Sequence, residues 1–240
     1  KTSGTTSDRS KLLPVTQDSL KSCHYKGGRD LLAMFCDQRP NAPLYSGKHL
    51  IIGGSSTLHA NGSGSYTGDL SAIIVRNLPS WVEMRRTPGR EITLLEDWEK
   101  KVDLMVDQII REDVRILAGI PSWMLVVTKR VLDKTGASCL DEVWPNLWLY
   151  MHGGVGFEPY KSEFHRLIKS PNMNYMETYN ASEGFFGIQD EVDSNEMLLM
   201  LDYGIFFEFI PMSLFDGVNS KVTLSIDEVE LDVNYALVIT

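Results

Sequence analysis

The sequence has no excess of basic charge and no long apolar run. It carries 23 Lys and Arg residues against 32 Asp and Glu residues, for a formal charge of −9 and a pI near 5.1. A surface of that sign disfavours broad contact with nucleic acid or with an anionic membrane. The longest apolar stretch, 118–127, is broken by Pro121 and Ser122 and is shorter than the ~20 residues that span a bilayer. We therefore expect no nucleic-acid partner, no membrane partner and no transmembrane segment.

Cysteine is scarce as well, and several catalytic motifs are missing. Cys23, Cys36 and Cys139 are widely spaced and include no C-x-x-C pair. No basic segment followed by an apolar one opens the chain, so no signal peptide is recognisable. This usage predicts reduced, structural thiols and a cytoplasmic location. Neither the G-x-S-x-G turn of serine hydrolases nor the H-E-x-x-H zinc helix occurs.

What the sequence does contain is a succession of helix and strand patterns. Apolar residues recur every three or four positions in 94–110, which predicts an amphipathic helix. A short apolar run at 114–120 predicts a strand, and Pro121 then begins a helix that ends near Lys134, with Gly136 just beyond it. Other segments predict a helix at 15–35 and strands at 50–52, 147–151 and 175–179.

The C-terminal part has a different pattern. Strand-like segments follow one another at 198–201, 205–211 and 228–239, and the last alternates apolar and polar residues. A long Gly/Ser loop is predicted at 53–68. The predicted fold class is α/β, with a central, mostly parallel sheet flanked by helices and an additional mixed or antiparallel β region.

Three loops contain residues that suit a nucleotide. Residues 2–8 contain five hydroxyl side chains and Gly4, and Lys11 follows shortly after, a composition that suits a polyphosphate and equally a Ser/Thr-rich terminal segment. Glycines at 153–154 follow a predicted strand, and they allow either close approach of a flat ligand or simply a tight turn. The loop 179–184 offers an aromatic ring, a hydroxyl and a carboxylate, which suit a base and Mg²⁺ but also an ordinary solvated turn.

Taken together, these motifs resemble one enzyme family. Residues 2–14, Trp144-Pro-Asn-Leu147, His152 to Tyr160 and Tyr179-Asn-Ala-Ser-Glu-Gly184 occur in an order and spacing similar to those of the acyl acid amido synthetases. These are the auxin-responsive family that includes jasmonate- and indoleacetate-conjugating enzymes, within the adenylate-forming superfamily. The resemblance implies a ligase that uses ATP and Mg²⁺ to adenylate a carboxylic acid and then transfers the acyl group to an amino acid.

The resemblance also implies roles for individual residues. Lys11 and Glu183 would act in catalysis, with Glu183 holding the metal, and the acyl substrate would lie near Tyr25, Arg29 and Trp123, between the helices at 15–35 and 122–134. The residues implied to bind ATP are Thr2, Ser3, Gly4, Thr5, Thr6, Lys11, Gly153, Gly154, Val155, Tyr179 and Ser182.

The expected domain organisation is one ATP-binding core at 1–240, a fragment of the large N-terminal domain of an adenylate-forming enzyme. By that expectation the small C-terminal cap domain and the extreme N-terminal segment of the family are absent. Two other functions remain open: an acyl- or aryl-CoA ligase, which shares the adenylation step, and a nucleotide-binding module without catalysis.

Overall fold

The protein is an α/β structure whose helices and strands alternate along the chain. The computed structural model describes residues 12–53, 58–62, 64–217 and 222–240. The helices are α1 (Gln17–Ser19), α2 (Tyr25–Gln38), α3 (Leu70–Arg76), α4 (Ser80–Arg85), α5 (Arg90–Thr93), α6 (Trp98–Ile109), α7 (Pro121–Thr135) and α8 (Glu158–Leu167). The strands are β1 (Lys48–Ile51), β2 (Leu58–Ala60), β3 (Tyr66–Gly68), β4 (Arg86–Thr87), β5 (Val114–Ala118), β6 (Leu149–Gly153), β7 (Asn174–Ala181), β8 (Gly184–Ile188), β9 (Leu198–Leu199), β10 (Phe207–Pro211) and β11 (Tyr235–Ile239).

A seven-stranded sheet forms the centre, in the order β4-β1-β5-β6-β7-β8-β9. The first five strands of that order are parallel, whereas β8 and β9 add antiparallel pairings at one side. The carboxyl ends of β1, β5, β6 and β7 therefore share one edge of the sheet. That edge is where ligands bind in open α/β sheets.

Each face of this sheet is covered by its own core. Successive residues of a strand point to opposite faces. In β6, Leu149 packs with Leu31 and Phe35 of α2, while Tyr150 packs on the other face with α6, α7 and α8. Tyr175 and Met176 of β7 divide between the two cores in the same way. Helix α2 thus lies on one face of the sheet and α7 on the other.

Two smaller sheets complete the structure and confirm the predicted fold class. Strands β10 and β11 pair antiparallel, from Phe207 opposite Ile239 to Pro211 opposite Tyr235. The strand predicted at 228–239 is shorter than expected, because Ser225 and Glu228 cap a turn at Ile226–Glu228 and Asp232 has φ of 62°. Within the Gly/Ser loop predicted at 53–68, β2 and β3 form a short hairpin.

Capping residues decide where several predicted helices begin and end. The helix expected from Leu94 begins at Trp98, because the Asp97 side chain accepts a hydrogen bond from the Lys100 amide at 3.1 Å. The one expected from Val15 begins at Gln17, capped by Thr16, and continues through a π-helical turn at Leu20–His24 into α2. The prediction for α7 is confirmed, and Gly136 ends it with φ of 72°.

Among the described residues, no helix is both long enough and apolar enough to cross a bilayer.

Candidate functional site

Two glycines, Gly153 and Gly154, lie at the end of β6, where it runs beside β7. Gly153 lies opposite Thr178 of β7, and a Cβ at Gly153 would overlap the Thr178 carbonyl oxygen. The Thr178 hydroxyl donates to the His152 carbonyl at 3.1 Å. Gly154 follows with φ of 81°, a left-handed conformation that favours glycine. Chain geometry therefore explains both glycines, and it leaves the backbone accessible next to the exposed side chain of Val155.

Strand β7 extends past the end of β6 and turns back into β8. Tyr179 follows Thr178, is half exposed, and contacts Phe186 edge-on at 5.0 Å between ring centroids. Ala181 pairs with Gly184, so Ser182 and Glu183 are the two residues of a tight hairpin turn. The segment 179–184, predicted as a loop, is therefore mostly strand, and the Ser182 and Glu183 side chains lie at its turn.

A cavity of about 550 Å³ lies against this hairpin turn. Its lining also includes residues 13–16 and Ser22, Cys23 and His24 of the π-helical turn. Tyr203 to Ile205 and the end of β11 complete the lining. Ser182 and Glu183 thus share one cavity with the segment of chain that begins two residues after Lys11.

The charges in this cavity are of one sign. Among its described lining residues, the charged side chains are Asp18 and Glu183, and Glu183 is exposed. Carboxylate oxygens are the ligands that Mg²⁺ prefers, usually one or two of them with phosphate oxygens completing the shell. No group of three or more metal-binding side chains is found in the described part of the chain. The lining therefore fits Mg²⁺ that arrives with a phosphate better than a cage made of protein ligands alone.

Hydrogen bonds join the π-helical turn to the β7–β8 hairpin. The Phe185 amide donates to Sγ of Cys23 at 3.1 Å, and His24 Nδ1 lies 3.1 Å from Asn180 Oδ1. Burial raises the pKa of the Cys23 thiol and lowers the pKa of His24, with the Asn180 contact opposing the second shift. Both side chains are thus favoured in their neutral forms, which suits a positioning role better than nucleophilic attack.

His152, directly before the two glycines, is buried in an aromatic cluster. Its ring stacks on Phe157 at 3.9 Å between centroids and lies 5.3 Å from Tyr150. Burial lowers the pKa of His152 to about 4, and its Nδ1 has no hydrogen-bond partner among the described residues. The neutral imidazole therefore serves as packing beneath the end of β6.

The structure brings together part of the predicted site. Thr2, Ser3, Gly4, Thr5, Thr6 and Lys11 lie outside the described residues. Ser182 and Glu183 share the cavity, and Gly153 is joined to Thr178, the residue before Tyr179, by strand pairing. Gly154 and Val155 continue from the end of β6.

The structure does not bring the three predicted acyl-pocket residues together. The Tyr25 hydroxyl donates to the Ile74 carbonyl at 3.3 Å, and Arg29 pairs with the neighbouring Asp30. Trp123 packs edge-on against Trp98 at 4.4 Å, in the core on the opposite face of the sheet. Helices α2 and α7 are separated by the sheet itself, so no pocket lies directly between them.

Sequence reasoning missed several side chains that line the cavity. Thr16 and Asp18 belong to the capped start of the first helix, while Tyr203 and Ile205 come from a loop far along the chain. The S/T-x-x pattern at 16–19 signals a helix start and not a binding role. No local pattern marks Tyr203, because its position depends on a long-range contact: its hydroxyl donates to Asp30 at 2.9 Å.

Comparison with known proteins agrees with this architecture. The profile of the GH3 family N-terminal domain matches residues 1–173, and that of the GH3 family central domain matches residues 198–240. The chain belongs to the GH3 family. No curated protein matches it significantly.

Solved structures with a similar fold include a GH3-family enzyme. The structure of a GH3.15 acyl acid amido synthetase has a TM-score of 0.73 at 14% identity, over 96% of this chain and 49% of that one. An ATP-bound RpMatB-BxBclM chimera, B1, covers 88% of this chain and 34% of that one, with a TM-score of 0.43 at 15% identity. This GH3-family chain thus spans about half the length of the solved synthetase, and at that identity the likeness establishes the fold.

Proposed function

We propose that this chain supplies the ATP-binding part of an acyl acid amido synthetase. The supporting observation is that the hairpin turn Ser182-Glu183 and the chain that follows Lys11 line one cavity. Membership of the GH3 family and the name of the solved synthetase support the same reaction class.

In this proposal the nucleotide lies along the projecting part of β7. From Thr178, beside Gly153, to Ser182 the strand advances four residues, roughly 13 Å at ~3.3 Å each. The adenine would contact Gly153, Gly154 and Val155 with Tyr179 nearby, and the phosphates would reach Ser182. The described cavity lining supplies acidic side chains but no Lys or Arg, so we assign phosphate binding to Lys11 and the hydroxyl groups of Thr2, Ser3, Thr5 and Thr6, with the Gly4 backbone.

The chemistry requires positioning and charge neutralisation. A carboxylate oxygen of the acid attacks the α-phosphate of ATP, which forms an acyl adenylate and releases pyrophosphate. The amine of an amino acid then attacks the acyl carbon, which forms the amide and releases AMP. Mg²⁺ bound through Glu183 would neutralise charge on the phosphates. Ser182 would orient the α-phosphate, and no protein nucleophile is needed.

The acid would enter beside the α-phosphate. Tyr25 and Arg29 lie on α2, on the same side of the sheet as the cavity wall formed by Cys23 and His24. We keep these two as candidates for the acyl pocket. Trp123 lies in the other core, and we assign it to packing between α6 and α7.

The test is pyrophosphate release by an enzyme that contains this chain, measured across a panel of aryl and alkyl acids. We expect release that depends on one class of acid and falls at least tenfold in Lys11→Ala. Adding amino acids or CoA then identifies the acceptor, because amide formation supports the proposal and thioester formation indicates a CoA ligase. A folded enzyme that binds ATP and releases no pyrophosphate with any acid would show a non-catalytic module and contradict the proposal.

A further inference from the structure

A second cavity, of about 430 Å³, opens at the opposite edge of the central sheet. Its walls include Arg39, directly after α2, Trp148, directly before β6, and Asn174, the first residue of β7. These positions mark the amino ends of the strands, whereas the candidate ATP site lies at their carboxyl ends. The two cavities are therefore separate, and the second has no part in the proposed adenylation.

Buried hydrogen bonds fix the walls of this second cavity. Asn174 is about nine-tenths buried, and its Nδ2 donates to the Asn172 carbonyl at 2.7 Å and to the Trp148 carbonyl at 3.2 Å. Gln38 Nε2 donates to the Asp190 carbonyl at 2.5 Å, and Gln38 Oε1 accepts from the Val192 amide at 3.0 Å. These bonds hold the loop that carries Asp193 against the end of α2.

The same bonds place two opposite charges on one cavity. Arg39 is half-buried and Asp193 is exposed. Arg39 directly follows Gln38, and Asp193 directly follows Val192, whose amide donates to Gln38. Within the described ranges, neither side chain forms an ion pair, and Arg39 donates from Nη1 to the Gln38 carbonyl at 3.1 Å, which leaves its other N–H groups for a ligand. Asp193 also has φ of 68°, an uncommon conformation for a residue other than glycine. The charges thus remain available while the backbone around them is held in place.

We propose that this cavity binds a small zwitterion, of which a free amino acid is the simplest case. Guanidinium groups bind carboxylates through paired hydrogen bonds, which assigns the carboxylate of the ligand to Arg39. The ammonium group of the ligand pairs with Asp193, and the indole of Trp148 with the amide groups around it forms the remaining wall. One cation and one anion leave the lining neutral, which disfavours a polyphosphate. The volume is in the range of small-molecule sites.

The direct test is calorimetric titration of the 240-residue chain with free amino acids. Each is compared with its N-acetyl derivative and with its amide. We expect one free amino acid to bind at a single site, and blocking either end to weaken binding at least tenfold. Absence of binding by every free amino acid at millimolar concentration would overturn the proposal. Equal binding of the free amino acid and of its N-acetyl and amide derivatives would also overturn the proposal, because the site would then not recognise both charges.

Variants locate the site. Arg39→Ala and Asp193→Asn should each weaken binding at least tenfold, and Arg39→Lys should recover part of it because the positive charge remains. The matched controls Arg130→Ala and Asp133→Asn change the same charges on α7 and should bind as the unsubstituted chain does. Circular dichroism of each variant checks folding. Binding that survives both cavity variants but is lost in Ser182→Ala would assign the amino acid to the ATP-side cavity and contradict the proposal.

Discussion

Gly153 is the residue at which the candidate site depends most directly on the absence of a side chain. The strand pairing of β6 with β7 places the Thr178 carbonyl and hydroxyl where a Cβ would lie. Backbone atoms cannot move aside as the end of a flexible side chain can. The close pairing of the two strands, and the accessible backbone beside it, therefore require glycine at this position.

We predict that Gly153→Ala separates the ends of β6 and β7. The expected loss is about 1–3 kcal/mol of unfolding free energy, typical of forcing atoms into a packed site. Urea denaturation measures it. The control is Gly156→Ala in the same loop, where a Cβ meets nothing within 4 Å and φ is not positive. Equal stability of the two variants would show that the close contact does not exist in solution.

The close contact between helix α2 and strand β8 also requires a glycine. A Cβ at Gly27 would lie 2.6 Å from the Phe185 ring, whereas one at Gly28 would meet nothing within 4 Å. The helix can approach the strand this closely only because one of two adjacent glycines faces it. The approach also brings Cys23 and His24 to the hairpin that carries Ser182 and Glu183.

We predict opposite effects for the two alanine substitutions. Gly28→Ala should stabilise the protein by about 0.5–1 kcal/mol, because alanine loses less entropy in a helix. Gly27→Ala should destabilise it by about 1–3 kcal/mol, because α2 must move away from Phe185. The measurement is thermal unfolding of both variants, with the stability of each compared with that of the unsubstituted chain. Stabilisation by both would mean that α2 does not pack on β8 as described.

The sequence predicts elements well where local rules determine them. Pro121 and Gly136 mark α7 nearly to the residue, because they act through their own backbone preferences. The hairpin β7–β8 is harder, since the segment 179–184 has turn-forming residues but its strand pairing depends on Phe185 to Ile188 being buried. A hairpin and an irregular loop with the same residues differ only in tertiary packing.

At the scale of the whole molecule, burial of histidines makes stability depend on pH. Burial lowers the pKa values of His24, His49 and His152, the last to about 4. In the unfolded chain each has a pKa near 6.5, so just below that pH the unfolded state holds more protons than the folded state, and for His152 this difference extends down to about pH 4. Stability therefore falls on acidification through that range.

We predict that His152 alone accounts for about 3 kcal/mol of this loss between pH 7 and pH 4. Denaturant titrations at a series of pH values measure it. His152→Phe is the matched variant, because it keeps a ring against Phe157 and removes the titrating group. Its stability should vary less with pH by that amount. An unchanged pH profile in this variant would contradict the burial of His152.

The arrangement of the site is the part that sequence reasoning predicts least. The resemblance implies that Ser182 and Glu183 belong to the site, but that they line one cavity with residues 13–16 depends on how α2 packs on the sheet. For the same reason the resemblance implies an acyl pocket that includes both Tyr25 and Trp123, whereas Trp123 lies in the core on the opposite face of the sheet. Side-chain periodicity gives the buried face of a helix, and it does not give the face of the sheet on which that helix packs.

The proposed function requires that the cavity between the hairpin turn and the start of the first helix bind the phosphates of ATP. Titration of the 240-residue chain with Mg·ATP tests it most directly, with Ser182→Ala and Glu183→Gln compared with the control Glu191→Gln. Glu191 follows β8 and lies outside the cavity lining. We predict at least tenfold weaker binding for the first two variants, about 1.4 kcal/mol, and unchanged binding for the control. Binding of Mg·ATP that is equal in all three variants would contradict it.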